Sequence, residues 1–305
     1  MKKRILTLIT TLLVVMLAMA GCSQKEKLVK DREGNDFKVP QKINRIVSTA
    51  PSNTEILVEL GLADKLVAVD KYSADIPGLP KNIKLIDFSN PDPEAIVSLN
   101  PDMIIASGHN KTGKSEDPFK VVKDAGISVA YIPSSDSIKG IYDDIMFISD
   151  ITGTQDKGKK IVDNMKAQVE EVEKIGKSIK GKKKVYFEIG PAPNLYSFGN
   201  KTFLNEMIEL VGGENIFKDQ DGWISPSAES IIEKNPDVII TNVNYVPDAV
   251  KEIKNREGWQ NIAAIKNGQV YLVDANTTSR PSQNITKALK QMAEYINPDA
   301  YAKQK

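Results

Sequence analysis

The chain has 305 residues with 41 basic and 40 acidic side chains, a net charge of +1, one cysteine and one histidine. Near-neutral charge excludes a general attraction to nucleic acid or anionic lipid, and a single cysteine excludes a disulfide framework. One histidine, with no Ser-His-Asp order and no G-x-S-x-G elbow, leaves hydrolase chemistry without its usual parts, so no enzyme is expected.

The N-terminus reads as an export signal. Lys2, Lys3 and Arg4 precede a sixteen-residue apolar run, Ile5 to Ala20, and then Gly21-Cys22. About 20 apolar residues are needed to span a bilayer, so the run is short for an anchor. The segment resembles a bacterial lipobox, with Met19 in place of the usual leucine. That resemblance implies a signal peptide over 1–21, a lipid on Cys22 that holds the protein to the membrane outside the cytoplasm, and a polar tether over 22–30.

Beyond the tether, Leu28 to Val39 predicts a hairpin turning at Gly34-Asn35. Strands and helices then alternate. Arg45 to Ala50 is a predicted strand, Ser52 or Asn53 a candidate cap for a helix Thr54 to Leu60, and Leu66 to Asp70 and Ile127 to Ile132 further strands. Lys157 to Lys177 places Ile161, Met165, Val169, Val172 and Ile175 at helical spacing and contains no proline. As a helix of roughly 25 residues it would span about 37 Å. A strand Lys184 to Ile189, a helix Thr202 to Leu210, a strand Gln269 to Val273 and a helix Ser282 to Ile296 complete the pattern. Such alternation predicts parallel sheets covered by helices.

One segment occurs twice. Asp92 to Ser107 and Ser227 to Asn242 align without a gap, matching Glu94 with Glu229, Asn100 with Asn235, Pro101 with Pro236 and Asp102 with Asp237. A repeat at so long a period means two lobes of one plan. Each copy predicts an N-cap, a first-turn glutamate favoured by the helix dipole, an Asn-Pro stop and a short buried strand.

These segments, with Arg45 to Leu57, Asp70 to Ser73 and Gly212 to Phe217, resemble the solute-binding lipoproteins of ABC importers for cobalamin and ferric siderophores. The resemblance covers residues 28 to 300. It implies an α/β fold of two Rossmann-like lobes joined by one long α-helix, the lobes spanning 31–150 and 183–305 and the helix 155–180. It also implies a monomer that holds a metal chelate in the cleft and closes only slightly. The chelate passes to a two-fold symmetric permease with its ATPase, whose subunits receive Glu94 and Glu229. No cofactor or resident metal is implied.

Ligands of open α/β sheets sit beyond the carboxyl ends of the strands and between lobes. Loops placed there carry Ser52, Asn53, Tyr72, Phe88, His109, Tyr196, Phe198, Trp223, Tyr245 and Arg280. Six of these are aromatic and lie outside the periodic segments, which suits stacking on a large flat ligand. His109 is a loop residue that offers an axial ligand to haem iron or cobalt. Arg280 is the one arginine placed at the cleft, able to pair with a carboxylate or catecholate. So little fixed positive charge favours a neutral ligand such as a corrinoid over an anionic siderophore or haem, with Lys71, Lys111 and Lys114 as further cations.

A rival class rests on Gly108 to Ser115, which matches the phosphate-cradling pattern G-x-x-x-x-G-K-S. Export, the adjacent Glu116 and Asp117, and Pro118 inside the required helix weigh against nucleotide binding. A structural or adhesive lipoprotein would not need a cleft or paired glutamates.

Overall fold

The computed structural model describes residues 27–302 apart from 112, 114 and 115. The expected signal peptide, Cys22 and most of the tether lie outside the described residues. No helix among those described is long and apolar enough to cross a membrane.

The first lobe is built on a parallel sheet of five strands, β3 (Ile46–Ser48), β4 (Leu66–Asp70), β5 (Lys84–Ile86), β6 (Met103–Ser107) and β7 (Ser128–Ile132), in the order β5-β4-β3-β6-β7. The second is built on four parallel strands, β8 (Lys183–Glu188), β10 (Gly213–Asn215), β12 (Val238–Thr241) and β13 (Val270–Leu272), in the order β10-β8-β12-β13. The short strands β5 and β10 carry too little apolar sequence to show in the pattern.

The expected hairpin forms, β1 (Lys27–Lys30) pairing antiparallel with β2 (Asp36–Val39), so residues 27–30, which the expected tether also covered, belong to it. The hairpin is fastened to the first lobe. Asp31 accepts the backbone N–H of Tyr131 at 2.9 Å, and Arg32 reaches Asp144 at 2.6 Å.

Alternation along each strand divides its side chains between two faces. In the first lobe, Val47, Ala68, Ile104 and Tyr131 pack outward with Phe119 and Val122. Ile46, Val69, Ile105 and Ile132 pack inward against a cluster that runs without a break into Phe187, Phe198 and Ile240 of the second. The bridge is the helix Gln155–Ser178, which at 24 residues is about 36 Å long. Its Val162, Met165 and Val172 are buried in that shared core, with Ile161 and Val169 packed at the margin. It packs against the helix Ile138–Thr152 from one lobe and against Phe203–Leu210 and Ile285–Ile296 from the other. Fully burying an Ile or Leu is worth about 1.5–3 kcal/mol, so a shared core resists separation of the lobes. The turn between Ile138–Thr152 and the linking helix needs Gly153, whose φ of 72° is left-handed.

The two repeat units fold through the same hydrogen bonds. Asp92 caps the helix Pro93–Ser98 by accepting from the N–H groups of Glu94 and Ala95, and Ser227 caps Ala228–Lys234 by accepting from Ser230. Each helix ends at an asparagine in left-handed conformation, Asn100 at φ 46° and Asn235 at φ 47°, a state that asparagine tolerates better than most residues. The matched aspartates then fasten the start of the neighbouring strand in the sheet, β3 or β8. Asp102 accepts from the N–H groups of Asn44 and Arg45, and Asp237 from that of Lys184. Arg45 and Lys184 return their side chains to the carbonyls that end the preceding helix, at Leu99 and Lys234.

Candidate functional site

The helix after β3 begins earlier than the sequence suggested. It spans Pro51–Glu59 with Ala50 at the N-cap and no side-chain cap. Proline at the first helical position has its φ preset and no N–H to satisfy, so the cap expected from Ser52 or Asn53 is not needed. Asn53 is consequently buried within the helix, where it donates to the carbonyl of Ala106 at 3.4 Å. Ser52 is half-buried on the helix's first turn.

Beyond β4, Asp70 accepts from the N–H of Tyr72 at 2.9 Å and from the Ser73 hydroxyl, holding Lys71–Ser73 in a tight turn. Burial pushes the Asp70 carboxyl above its usual range, against the lowering effect of Ser73, Tyr72 and the Arg280 charge. The Ser73 and Thr54 hydroxyls lie 3.0 Å apart and those of Thr54 and Ser48 2.8 Å apart, so a buried chain of hydroxyls lies under the site. Beyond β6, Asn110 is buried and bonds through both ends of its amide. Its oxygen accepts from Thr49 and from the N–H of Ser107, and its nitrogen donates to the carbonyl of Phe88 at 2.7 Å. This places the Phe88 ring 6.0 Å from Tyr72 and 6.4 Å from His109.

Two recesses open along the cleft and share Ser279. The larger, about 550 Å³, is lined by Pro51, Lys71, Tyr72, Asp75 and Phe88 of the first lobe and by Asn244, Asn276 and Arg280 of the second. The smaller, about 290 Å³, brings His109 and Ser134 against Tyr196, Trp223 and Asn242. Tyr196 and Trp223 stack with centroids 6.3 Å apart and planes at 14°. The Trp223 side is carried by the short pair β9 (Ser197–Phe198) and β11 (Trp223–Ile224), in which Phe198 lies opposite Trp223.

One placement corrects the sequence reading and two qualify it. Phe198 does not face the cleft. It is fully buried, packed 5.3 Å from Phe187, and supports Trp223 from beneath, because both residues of β9 are buried and Ser197 bonds the Phe187 carbonyl. Tyr245 is 69% exposed and lines neither recess. Arg280 does line the cleft, but its guanidinium is already engaged, at 3.1 Å from Glu55, 2.8 Å from Asp75 and 2.8 Å from the carbonyl of Tyr72.

Glu55, Asp75, Asn110 and Asn276 went unnoticed in the sequence. Glu55 left a trace, as an acidic residue between Thr54 and Ile56 in an otherwise buried helical run. Asp75 and Asn276 left none, since each acquires its role from the other lobe, where they meet at 2.7 Å.

The phosphate-loop match dissolves in three dimensions. Gly108–Lys111 is a single tight turn, Lys111 pairs with Glu33, and the next helix among the described residues begins at Lys120. Thr112, Lys114 and Ser115 themselves lie outside the described residues. Among the described residues no cluster of three His, Cys, Asp or Glu is arranged to hold a metal ion.

Glu94 and Glu229 are both exposed in the first turns of matching helices. Each helix leads into a parallel strand from the carboxyl edge of its sheet, so both glutamates belong to the edge where the cleft opens. The Glu229 carboxyl is held below its usual range by its own backbone N–H and by Ser227.

A family model described as periplasmic binding protein matches residues 46–277. The chain is 32% identical over 310 residues to an uncharacterised ABC transporter substrate-binding lipoprotein, YvrC, of Bacillus subtilis, covering 95% of this chain and 96% of that one. It is 27% identical to a vitamin B12-binding protein of Vibrio campbellii over 83% of this chain and 89% of the relative. A solved structure of a possible iron-binding periplasmic solute-binding protein from Staphylococcus epidermidis superposes with a TM-score of 0.75 at 33% identity, covering 84% of this chain and 100% of the other. The chain therefore belongs to the periplasmic binding protein family, in the class whose two α/β lobes are joined by one helix and which serves ABC importers as the substrate-binding protein.

Proposed function

We propose that the protein captures a metal chelate, cobalamin or a ferric siderophore, between its lobes and delivers it to the permease of an ABC importer. The observation that carries this reading is the pairing of aromatic surfaces across one cleft. Tyr72 and Phe88 stand on the first lobe, and the stacked Tyr196 and Trp223 stand on the second. Flat, partly exposed rings of this kind suit the face of a macrocycle or the ligand shell of a wrapped metal, and cobalamin is favoured. The vitamin B12-binding relative and the possible iron-binding structure are consistent with it.

In this reading Glu94 and Glu229 dock the lobes on the two permease subunits, one charge per lobe matching a two-fold partner. The protein acts as a monomer outside the cytoplasm, held to the membrane by lipid on Cys22. A haem receptor is the second reading, favoured by His109 and Tyr196 lining one recess, where either could ligate iron.

Fluorescence titration tests both. Trp223 is 48% exposed at the cleft and Trp259 is buried, so a cleft ligand should quench the Trp223 emission. Cyanocobalamin, haemin and a panel of ferric siderophores are the probes, with an amino acid and a sugar as controls. Quenching by a control alone would overturn the assignment, and a shifted haem absorption band would select the second reading.

A further inference from the structure

Three charged side chains line the larger recess, Lys71, Asp75 and Arg280, and both cations are already paired. Lys71 Nζ lies 2.8 Å from Asp87. Arg280 lies 3.1 Å from Glu55 and 2.8 Å from Asp75. With those partners counted, two cations meet three carboxylates, a surplus of one negative charge. The smaller recess adds no carboxylate, lysine or arginine to its lining among the described residues.

The pairing around Arg280 is layered. Glu55 is 7% exposed and lies behind the guanidinium, where its carboxylate also accepts from the Ser282 hydroxyl and from Asn284 at 2.9 Å. A carboxylate so enclosed cannot swing aside to release the arginine. Asp75 lies on the open side, with its side chain 54% exposed. One of its oxygens accepts from Arg280, and the other from Asn276 at 2.7 Å. An anionic group entering the recess would meet Asp75 before Arg280 and would have to displace it to gain an ion pair. Like charges a few ångströms apart in a partly desolvated site repel strongly, whereas an uncharged or cationic ligand meets no such barrier.

We propose that Asp75, fixed across the lobes by Arg280 and Asn276, sets the charge class of the ligand, so that the cleft accepts neutral or cationic metal chelates and rejects anionic ones. This rests on the chelate-receptor reading and narrows it. Asp75 acts here as a selectivity residue through its charge, and Arg280 as the group that positions it.

The test measures dissociation constants in the parent, Asp75→Asn and Asp75→Ser for four probes. Two carry no net charge, cyanocobalamin and an uncharged ferric trihydroxamate. Two are anionic, a ferric tricatecholate and haemin with its propionates. The readout is the ratio of anionic to neutral dissociation constants, which a general loosening of the cleft would leave unchanged. The parent should favour neutral probes at least tenfold, and both variants should reduce that ratio at least tenfold. Circular dichroism identifies the variants that fold, and the serine side chain provides a second route if the asparagine variant does not. A parent that prefers the anionic probes, or a ratio unchanged in a folded variant, overturns the charge role alone. A parent that binds no probe overturns the chelate reading, and the charge role falls with it.

Discussion

The two walls of the cleft present aromatic rings by different means. On the first lobe, hydrogen bonds from buried polar side chains position the rings. Asn110 holds the Phe88 carbonyl, and Asp70 holds the turn that carries Tyr72. On the second lobe packing does this work. Phe198 fills the core against Phe187, Trp223 leans on Phe198 at 6.1 Å, and Tyr196 stacks on Trp223. A wall held by polar groups depends on directional bonds and on protonation, while a wall held by rings depends on volume and is indifferent to pH.

The largest expected effect is on the packed wall. Phe198→Ala should lower the stability of the protein by about 3–5 kcal/mol, read by urea unfolding, and should weaken Trp223 quenching by ligand. A loss below 1 kcal/mol would mean that the β9–β11 ladder alone holds Trp223, and the contrast between the walls would fail. Asn110→Ala tests the opposite wall. It removes one bonded amide and strands the Phe88 carbonyl and the buried Thr49 hydroxyl, while the Ser107 N–H keeps Thr49 as its acceptor, so the expected cost is about 1–3 kcal/mol, with weaker binding of whatever ligand Phe88 touches.

Protonation should separate the walls further. Asp144 is buried in the first lobe against Arg32 and Ser135, next to the cleft residue Ser134, and burial pushes its carboxyl up to about 6. A folded-state pKa above the unfolded value stabilises fully below the unfolded pKa and loses that contribution as pH rises through the folded one. Between pH 7 and pH 5 the parent should therefore gain about 1.4 kcal/mol relative to Asp144→Asn. The comparison is made by urea unfolding at both pH values. Equal pH slopes in parent and variant would show that Asp144 does not titrate in this range.

The smallest effect on folding is expected where the lobes are alike. Glu94→Ala and Glu229→Ala, alone or combined, should lower the unfolding midpoint only slightly, by the lost helix-dipole contribution, and leave ligand affinity unchanged. They should weaken ligand-stimulated ATP hydrolysis by the reconstituted importer, the double variant most. Stimulation equal to the parent would leave the helix dipole as the whole reason for two glutamates at one register.

What the sequence determined by itself was local and repeated. Caps at Asp92 and Ser227, stops at Asn100 and Asn235, the apolar strands β6 and β12 and the linking helix all follow from short-range bonding and periodicity. Those preferences act within a few residues, so they survive in the linear text. The fates of Phe198 and Arg280 were decided only by tertiary structure. Arg280 reads as a free cleft cation until the fold brings Glu55, 225 positions earlier, within 3.1 Å. Phe198 reads as a ligand-facing ring until β9 turns it inward against Phe187. Which face of a loop is buried, and which charge is already paired, depends on surfaces supplied by distant segments, and no local pattern encodes them.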